Sequence, residues 1–367
     1  VDIKVVIIGS PYIYHLLYAY DEEFKALFKV KSEFDLTMKK NSGRLQQYAK
    51  FIAAKCKEEN LMPFTRNAVA KIIEYSSRLS EHQKKMTARF LDIIDIMNES
   101  DYWAKKDSSK LVTEKHVREA LEKKLLRSNL IEMKMQDLVE EKTILIDVEG
   151  EKIGQINGLS ILDIGDYSFG KPSRITVETY KGKGNIIDIQ RETKMSGSIH
   201  SKGVLILSSY IGDKFGKDKH LSFTASICFE QLYGEIDGDS ASSTELYCLL
   251  SSLSGLPLRQ DIAVTGSVNQ KGTVQPVGGI NEKIEGFYQA CKISGLTRKQ
   301  GVMMPSSNIK NLMLNDEVID AVEAGKFHIY PVSTIKEGIE ILTGIKAGNR
   351  LKKGGYSRDS VFDLVDN

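Results

Sequence analysis

Two short stretches carry residue types that could do nucleophilic and acid–base chemistry. The first is Gly234-Glu-Ile-Asp-Gly-Asp-Ser-Ala-Ser-Ser-Thr-Glu245, a Gly/Asp-rich turn that runs into an apolar stripe at Leu246, Leu249, Leu250 and Leu253. That spacing predicts a helix over 240–254, ended by Gly255 with Pro257 beyond. Ser240 then sits at a helix N-terminus, where unpaired N–H groups and the positive end of the dipole would stabilise an oxyanion. Ser, Asp and Gly are also the commonest N-caps, so on spacing alone a capping role explains the same residues. The second stretch is Gly278-Gly-Ile-Asn-Glu-Lys-Ile-Glu-Gly286. Asn281 is a good N-cap, and Ile284, Phe287, Tyr288 and Cys291 mark the buried face of a helix over 281–294 that Gly295 ends. Lys283 falls in the first turn, the wrong end for a cation, at a cost of about 0.3–1 kcal/mol. Partial burial and the dipole would both lower its pKa, as a lysine general base requires. A surface lysine paired with Glu282 or Glu285 is the alternative.

Other chemistries find little support. The chain contains no G-x-x-x-x-G-K-[ST] phosphate loop and no G-x-S-x-G elbow. S-x-x-K occurs at Ser168–Lys171, Ser307–Lys310 and Ser333–Lys336, but without a K-T-G partner. Cys56, Cys228, Cys248 and Cys291 stand far apart in apolar stretches, which favours buried reduced thiols and a cytoplasmic location. His15, His82, His116, His200, His220 and His328 form no ligand cluster, so no metal site is expected.

The elements that must position these residues fall into two textures. The opening run Lys4-Val-Val-Ile-Ile-Gly9 reads as a strand, and a start on Val1 directly before it reads as a trimmed piece. From Leu36 to Lys124 the pattern is helical. Leu45, Tyr48, Ala49, Ile52, Ala53 and Cys56 form one stripe. A second helix starts at Thr65 with Val69, Ile72 and Ile73 inside. A third crosses Met86, Phe90, Ile93, Ile94 and Met97, and a fourth starts at Thr113 with Val117, Ala120 and Leu121 inside. Residues 125–142 are charged and read as a helical connector. From Ile144 strand alternation takes over, as in Leu221, Phe223, Ala225, Ile227 and Phe229. After Gly238 strands at 261–268, 300–304 and 327–331 intermix with helices at 240–254, 281–294 and 333–343. The expected fold class is α+β: a helical bundle followed by a mixed α/β catalytic-type domain, with a mobile tail after Lys346.

Composition narrows the function classes. Lys and Arg exceed Asp and Glu by 51 to 49, so no strong field draws the chain to nucleic acid or to an anionic membrane. The apolar runs, such as Val204–Leu207, are far shorter than the ~20 residues that span a bilayer. The basic residues of the connector are mixed with Glu132, Asp137, Glu140 and Glu141, without aromatics for stacking on bases.

Three motifs in order, Asp237-Gly-Asp-Ser-Ala-Ser242, Pro257-Leu-Arg-Gln-Asp-Ile-Ala-Val-Thr-Gly-Ser267 and Gly278-Gly-Ile-Asn-Glu-Lys283, resemble the proteolytic domain of Lon-type ATP-dependent proteases, the B-type branch most. The resemblance covers about 143–345. Leu27-Phe-Lys-Val-Lys-Ser-Glu-Phe-Asp35 and Thr87-Ala-Arg-Phe90 resemble segments before and within the small lid of AAA+ modules. It implies 1–35 as a remnant of a nucleotide-binding core, 36–124 as the helical lid, 125–142 as a connector and 143–345 as the proteolytic domain, with 346–367 the mobile tail.

The resemblance also implies roles. Ser240 matches the nucleophile and Lys283 its general base, a Ser–Lys dyad without histidine. Thr265 matches a hydroxyl supporting the lysine, Asp237 an acid that tunes or gates the dyad, and Arg89 a lid arginine that senses nucleotide phosphates. A serine endopeptidase acting on unfolded or misfolded polypeptides in protein quality control is implied, assembled as a homo-hexamer and driven by ATP and Mg²⁺ in the full-length protein. This chain alone carries no expected cofactor and no expected ATPase activity. The competing reading is a ring-forming scaffold or chaperone-like remodeller that binds chains without cutting them.

Overall fold

The computed structural model describes residues 3–367. A helical region precedes a mixed α/β sheet domain, and no helix among the described residues is long and apolar enough to cross a membrane. The start on Val1 lies outside the described residues. The run Lys4–Gly9 is irregular and largely exposed rather than a strand, because no other strand among the described residues lies alongside to pair with it.

Four helices, Ser42–Glu58, Arg66–Leu79, Phe90–Lys106 and Glu114–Ser128, bury Tyr48, Ile52, Ile72, Ile93, Met97 and Val117 against one another. Each apolar stripe faces this cluster, and polar side chains start three of the helices. Asn41 and Thr65 accept from the N–H groups of Arg44 and Ala68, and Thr113 forms a capping box with His116. Met86 departs from the reading as a helical residue. It lies in the strand Lys85–Thr87, paired antiparallel with Thr37–Lys39. Residues 130–140 form the helix Leu130–Glu140.

Seven strands form the main sheet, in the order His328–Val332, Gly301–Pro305, Ile262–Val264, Gln155–Asp163, Ser168–Lys181, Phe223–Phe229 and Asn185–Asp188. Pairing is antiparallel only between Gln155–Asp163 and Ser168–Lys181 and between Ser168–Lys181 and Phe223–Phe229. Period-2 alternation sends side chains to two separate cores. Ile262, Val264 and Met303 join the cluster under helices Ser198–Phe215 and Ser242–Ser254. Ala263, Val302 and Met304 join the one under helix Ile280–Ser294. Helices therefore cover both faces of the sheet, which explains its near-continuous apolar central strands.

The helix Ile280–Ser294 approaches the sheet through glycine. A Cβ on Gly286 would overlap the backbone of Gly170, and one on Gly170 would overlap the backbone at Glu282 and Lys283. The helical region also touches this helix. Arg78 donates to both carboxylate oxygens of Glu285 at 2.7 Å and to the Met313 carbonyl at 2.7 Å.

Two further features differ from expectation. The helix Ser198–Phe215 goes unread in the sequence, because Gly203, Gly212 and four serines interrupt its apolar stripe of Val204, Leu207, Ile211 and Phe215. The segment 346–367, expected as a mobile tail, is packed: Val361 and Phe362 are fully buried in the sheet core, and Tyr356 donates to the Lys214 carbonyl at 2.9 Å. Its aromatic and aliphatic residues supply apolar area that its Gly-rich start conceals.

Candidate active site

The serine helix, Ser242–Ser254, and the lysine helix, Ile280–Ser294, lie on opposite faces of the sheet. Their N-termini meet beyond the carboxyl end of strand Ile262–Val264, where α/β sheets open a crevice. Thr265, the next residue, lies between them.

Ser240 stands two residues before the serine helix, in a turn that begins at Gly238 with φ of 98°. A side chain is rarely tolerated there, which explains the glycine. The turn is pinned from several sides. Gly266 donates its N–H to the Ser240 carbonyl at 2.8 Å, and Ser242 donates N–H and hydroxyl to the Asp239 carbonyl at 3.0 and 2.8 Å. Val268 donates to Ser242 Oγ at 3.0 Å, and Ser243 Oγ donates to the Gly266 carbonyl at 2.8 Å. Among the described residues the N–H groups of Ser240 and Ala241 have no intramolecular acceptor. They are therefore free to donate to an oxyanion.

Lys283 is 3% exposed, and its Nζ lies 3.0 Å from Ser240 Oγ and 3.2 Å from Thr265 Oγ1. Thr265 Oγ1 lies 3.3 Å from the Ser240 carbonyl oxygen, tying the two elements together. Burial pushes the Lys283 amine down to about 8, against the charges of Asp239 and Glu282, which raise it. Glu282 is itself raised by burial and has one oxygen without a hydrogen-bond partner. The helix does not start as expected: Gly279, with φ of 59°, is the N-cap. Asn281 is inside the helix, where it accepts from the Met313 N–H at 2.6 Å and donates to the Asn311 carbonyl at 3.1 Å.

Ser240, Lys283 and Thr265 come together; Asp237 and Arg89 do not join them. Asp237 accepts from the N–H groups of Ile199 and His200 at 3.0 and 3.1 Å, at the start of helix Ser198–Phe215. The acid whose charge most strongly opposes the lysine's shift is Asp239, held by Ser267 Oγ at 2.8 Å. Asp239 lies inside the D-G-D-S run and Ser267 ends the second motif, but neither residue type nor spacing singles them out. Arg89 is the N-cap of helix Phe90–Lys106 and pairs with Asp92 at 3.2 Å. All four cysteines are free, and no group of three or more potential ligands gathers among the described residues.

Known proteins match the chain segment by segment. Residues 130–343 match the Lon protease (S16) C-terminal proteolytic domain, 63–127 the archaeal LonB AAA+ ATPase lid domain and 1–35 the LonB-like AAA domain. A Lon protease homolog of Escherichia coli K12 is 43% identical over 61% of this chain and 39% of its own length. One of Haemophilus influenzae is 37% identical over 81% of this chain and 49% of its own length. An archaeal Lon protease of Archaeoglobus fulgidus is 30% identical over 86% of this chain and 48% of its own length. The chain thus spans about half or less of the length of these curated relatives. A matched S16 domain covering more than half the chain, preceded by a matched lid, makes this chain a member of the Lon protease family.

Proposed function

We propose that this chain is a serine peptidase in which Ser240 is the nucleophile and neutral Lys283 its general base. The reading rests on one observation: a buried amine, its pKa lowered to about 8, 3.0 Å from a hydroxyl. Lys283 takes the Ser240 proton as Oγ attacks the substrate carbonyl. The tetrahedral oxyanion collects hydrogen bonds from the free N–H groups of Ser240 and Ala241, one such donor being worth ~3 kcal/mol. The ammonium then protonates the leaving amine, and the acyl-enzyme forms. In the second half the neutral lysine activates water and returns the proton to Ser240. Thr265 fixes the amine's direction throughout, and Asp237 acts indirectly, by anchoring the serine turn.

Unfolded polypeptide is the substrate class, and a homo-hexamer the assembly, that kinship with Lon proteases implies. ATP and Mg²⁺ would belong to the longer protein. The sequence holds no phosphate loop, and the half-exposed Arg89 guanidinium pairs with Asp92 at 3.2 Å. No step is therefore routed through ATP. Ser240→Ala should abolish both fluorophosphonate labelling and cleavage of peptide or casein, and cleavage that survives the substitution would defeat the assignment.

A further inference from the structure

Three ionisable side chains lie in the core behind the Ser240 turn, outside the chemistry just described. His200 on helix Ser198–Phe215, Asp188 at the end of its strand and Glu245 in the first turn of the serine helix are each at most 1% exposed. His200 Nε2 stands 3.4 Å from Asp188 Oδ2 and 3.7 Å from Glu245 Oε1, and none of these three atoms has a hydrogen-bond partner. Phe229 closes one side of the ring edge-on, with centroids 5.5 Å apart. The charged groups acting on His200 are Glu245, Asp188 and Asp237, and those on Glu245 are His200 and Asp188. His200 is thus the basic group that faces both buried carboxyl groups.

The same helix forms the wall behind the serine turn. Its first N–H groups, from Ile199 and His200, hold Asp237, three residues before Ser240. A side chain on Gly197 would overlap Asp237, and a Cβ on Gly203 would lie 3.4 Å from Ser242 Cβ and 3.5 Å from Asp239 Cβ. Glu245 then links this wall to the helix that Ser240 precedes.

We infer that His200, held as a cation between Asp188 and Glu245, is a positioning residue that fixes the Ser240 turn opposite Lys283. The inference rests on the reading of Ser240 as nucleophile. Burial works against a charged imidazole, yet the nearby Asp188 and Glu245 carboxylates outweigh it and raise the His200 pKa. Burial likewise pushes Glu245 up to about 7. A neutral side chain of equal size would fill the space without direction. The cluster resists displacement, because parting the imidazolium from the carboxylate beside it strands a charge in the core.

The test is the rate of fluorophosphonate labelling of the 367-residue chain, with kcat and KM on a peptide, for wild type, His200→Gln, His200→Phe and Asp188→Asn. Gln, which keeps an N–H donor but carries no charge, should lose about tenfold or more in labelling and kcat, and wild-type rates in it would overturn the inference. Phe, which keeps volume without a donor, and Asp188→Asn should each lose about tenfold or more in labelling and kcat, with KM within about twofold. Wild-type labelling in His200→Phe would reduce His200 to packing and overturn the inference, as would a raised KM at constant kcat. Should His200→Phe fail to melt cooperatively, Asp188→Asn decides by the same criteria. A wild-type chain whose labelling survives Ser240→Ala defeats the nucleophile reading instead, and this inference falls with it.

Discussion

The uncharged state of Lys283 can be tested by titrating the rate of serine labelling. With a pKa of about 8, roughly 10% of the amines are neutral at pH 7 and roughly 90% at pH 9. Labelling should therefore rise about tenfold across that interval and level off. An ordinary lysine near 10.4 would give about a hundredfold rise with no plateau. The perturbation that isolates the electrostatics is Asp239→Asn. Asp239 raises the Lys283 pKa, so removing its charge should move the midpoint down by about one unit, the low end of what a nearby opposite charge contributes. Asn keeps an oxygen for Ser267 Oγ, which now lies 2.8 Å from Asp239 Oδ2, so the turn should keep its shape. Initial labelling rates from pH 6 to 10, corrected for probe hydrolysis, give both midpoints. A rate that climbs unbroken to pH 10, or a midpoint that Asp239→Asn moves upward, would refute the reasoning.

Three further outcomes follow. The folded pKa of Lys283 lies below its unfolded value, so between about pH 8 and 10.4 the unfolded chain binds more protons and stability rises with pH. Below that window the lowered pKa costs about 3 kcal/mol, so Lys283→Met should stabilise the chain at pH 7, lose that gain by pH 10 and leave the serine unlabelled, as urea melts and labelling would show. Thr265→Val, which removes the hydroxyl 3.2 Å from Lys283 Nζ, should lower kcat by about tenfold, the worth of one hydrogen bond of ~1–1.5 kcal/mol, while Thr265→Ser retains most activity. Phe362→Ala, at a fully buried site, should cost about 3–5 kcal/mol by chemical denaturation; a loss below 1 kcal/mol would mean that the last segment does not pack as described.

The sequence made much of this site legible, because its decisive residues sit beside strong punctuation. Gly255 and Gly295 end the two helices, and the apolar stripes Leu246–Leu253 and Ile284–Cys291 fix which side of each faces the sheet. The lysine's misplacement at a helix start was visible as a local conflict, and such conflicts are expected where function overrides propensity. What stayed hidden depends on tertiary partners. Asn281 looks like a cap, but Gly279 in the left-handed region takes that position because the chain must turn sharply there. The trio His200, Asp188 and Glu245 draws on segments up to 57 positions apart, and no spacing rule joins them. The helix Ser198–Phe215 is blurred by the small residues that let it sit close to the serine turn. Lys4–Gly9 shows the reverse error, since apolar β-branched residues propose a strand but only a neighbour makes one.

The paired glycines at 170 and 286 set how far the lysine can reach. Because main chain rests on main chain there, no compensating change of rotamer or residue size can absorb a bulkier group at either position. An Ala at 170 or 286 would have to lift the whole helical rod from its seat, and the amine would retreat with it. The reach of that amine toward the Ser240 hydroxyl thus depends on two hydrogen atoms standing where methyl groups would otherwise be.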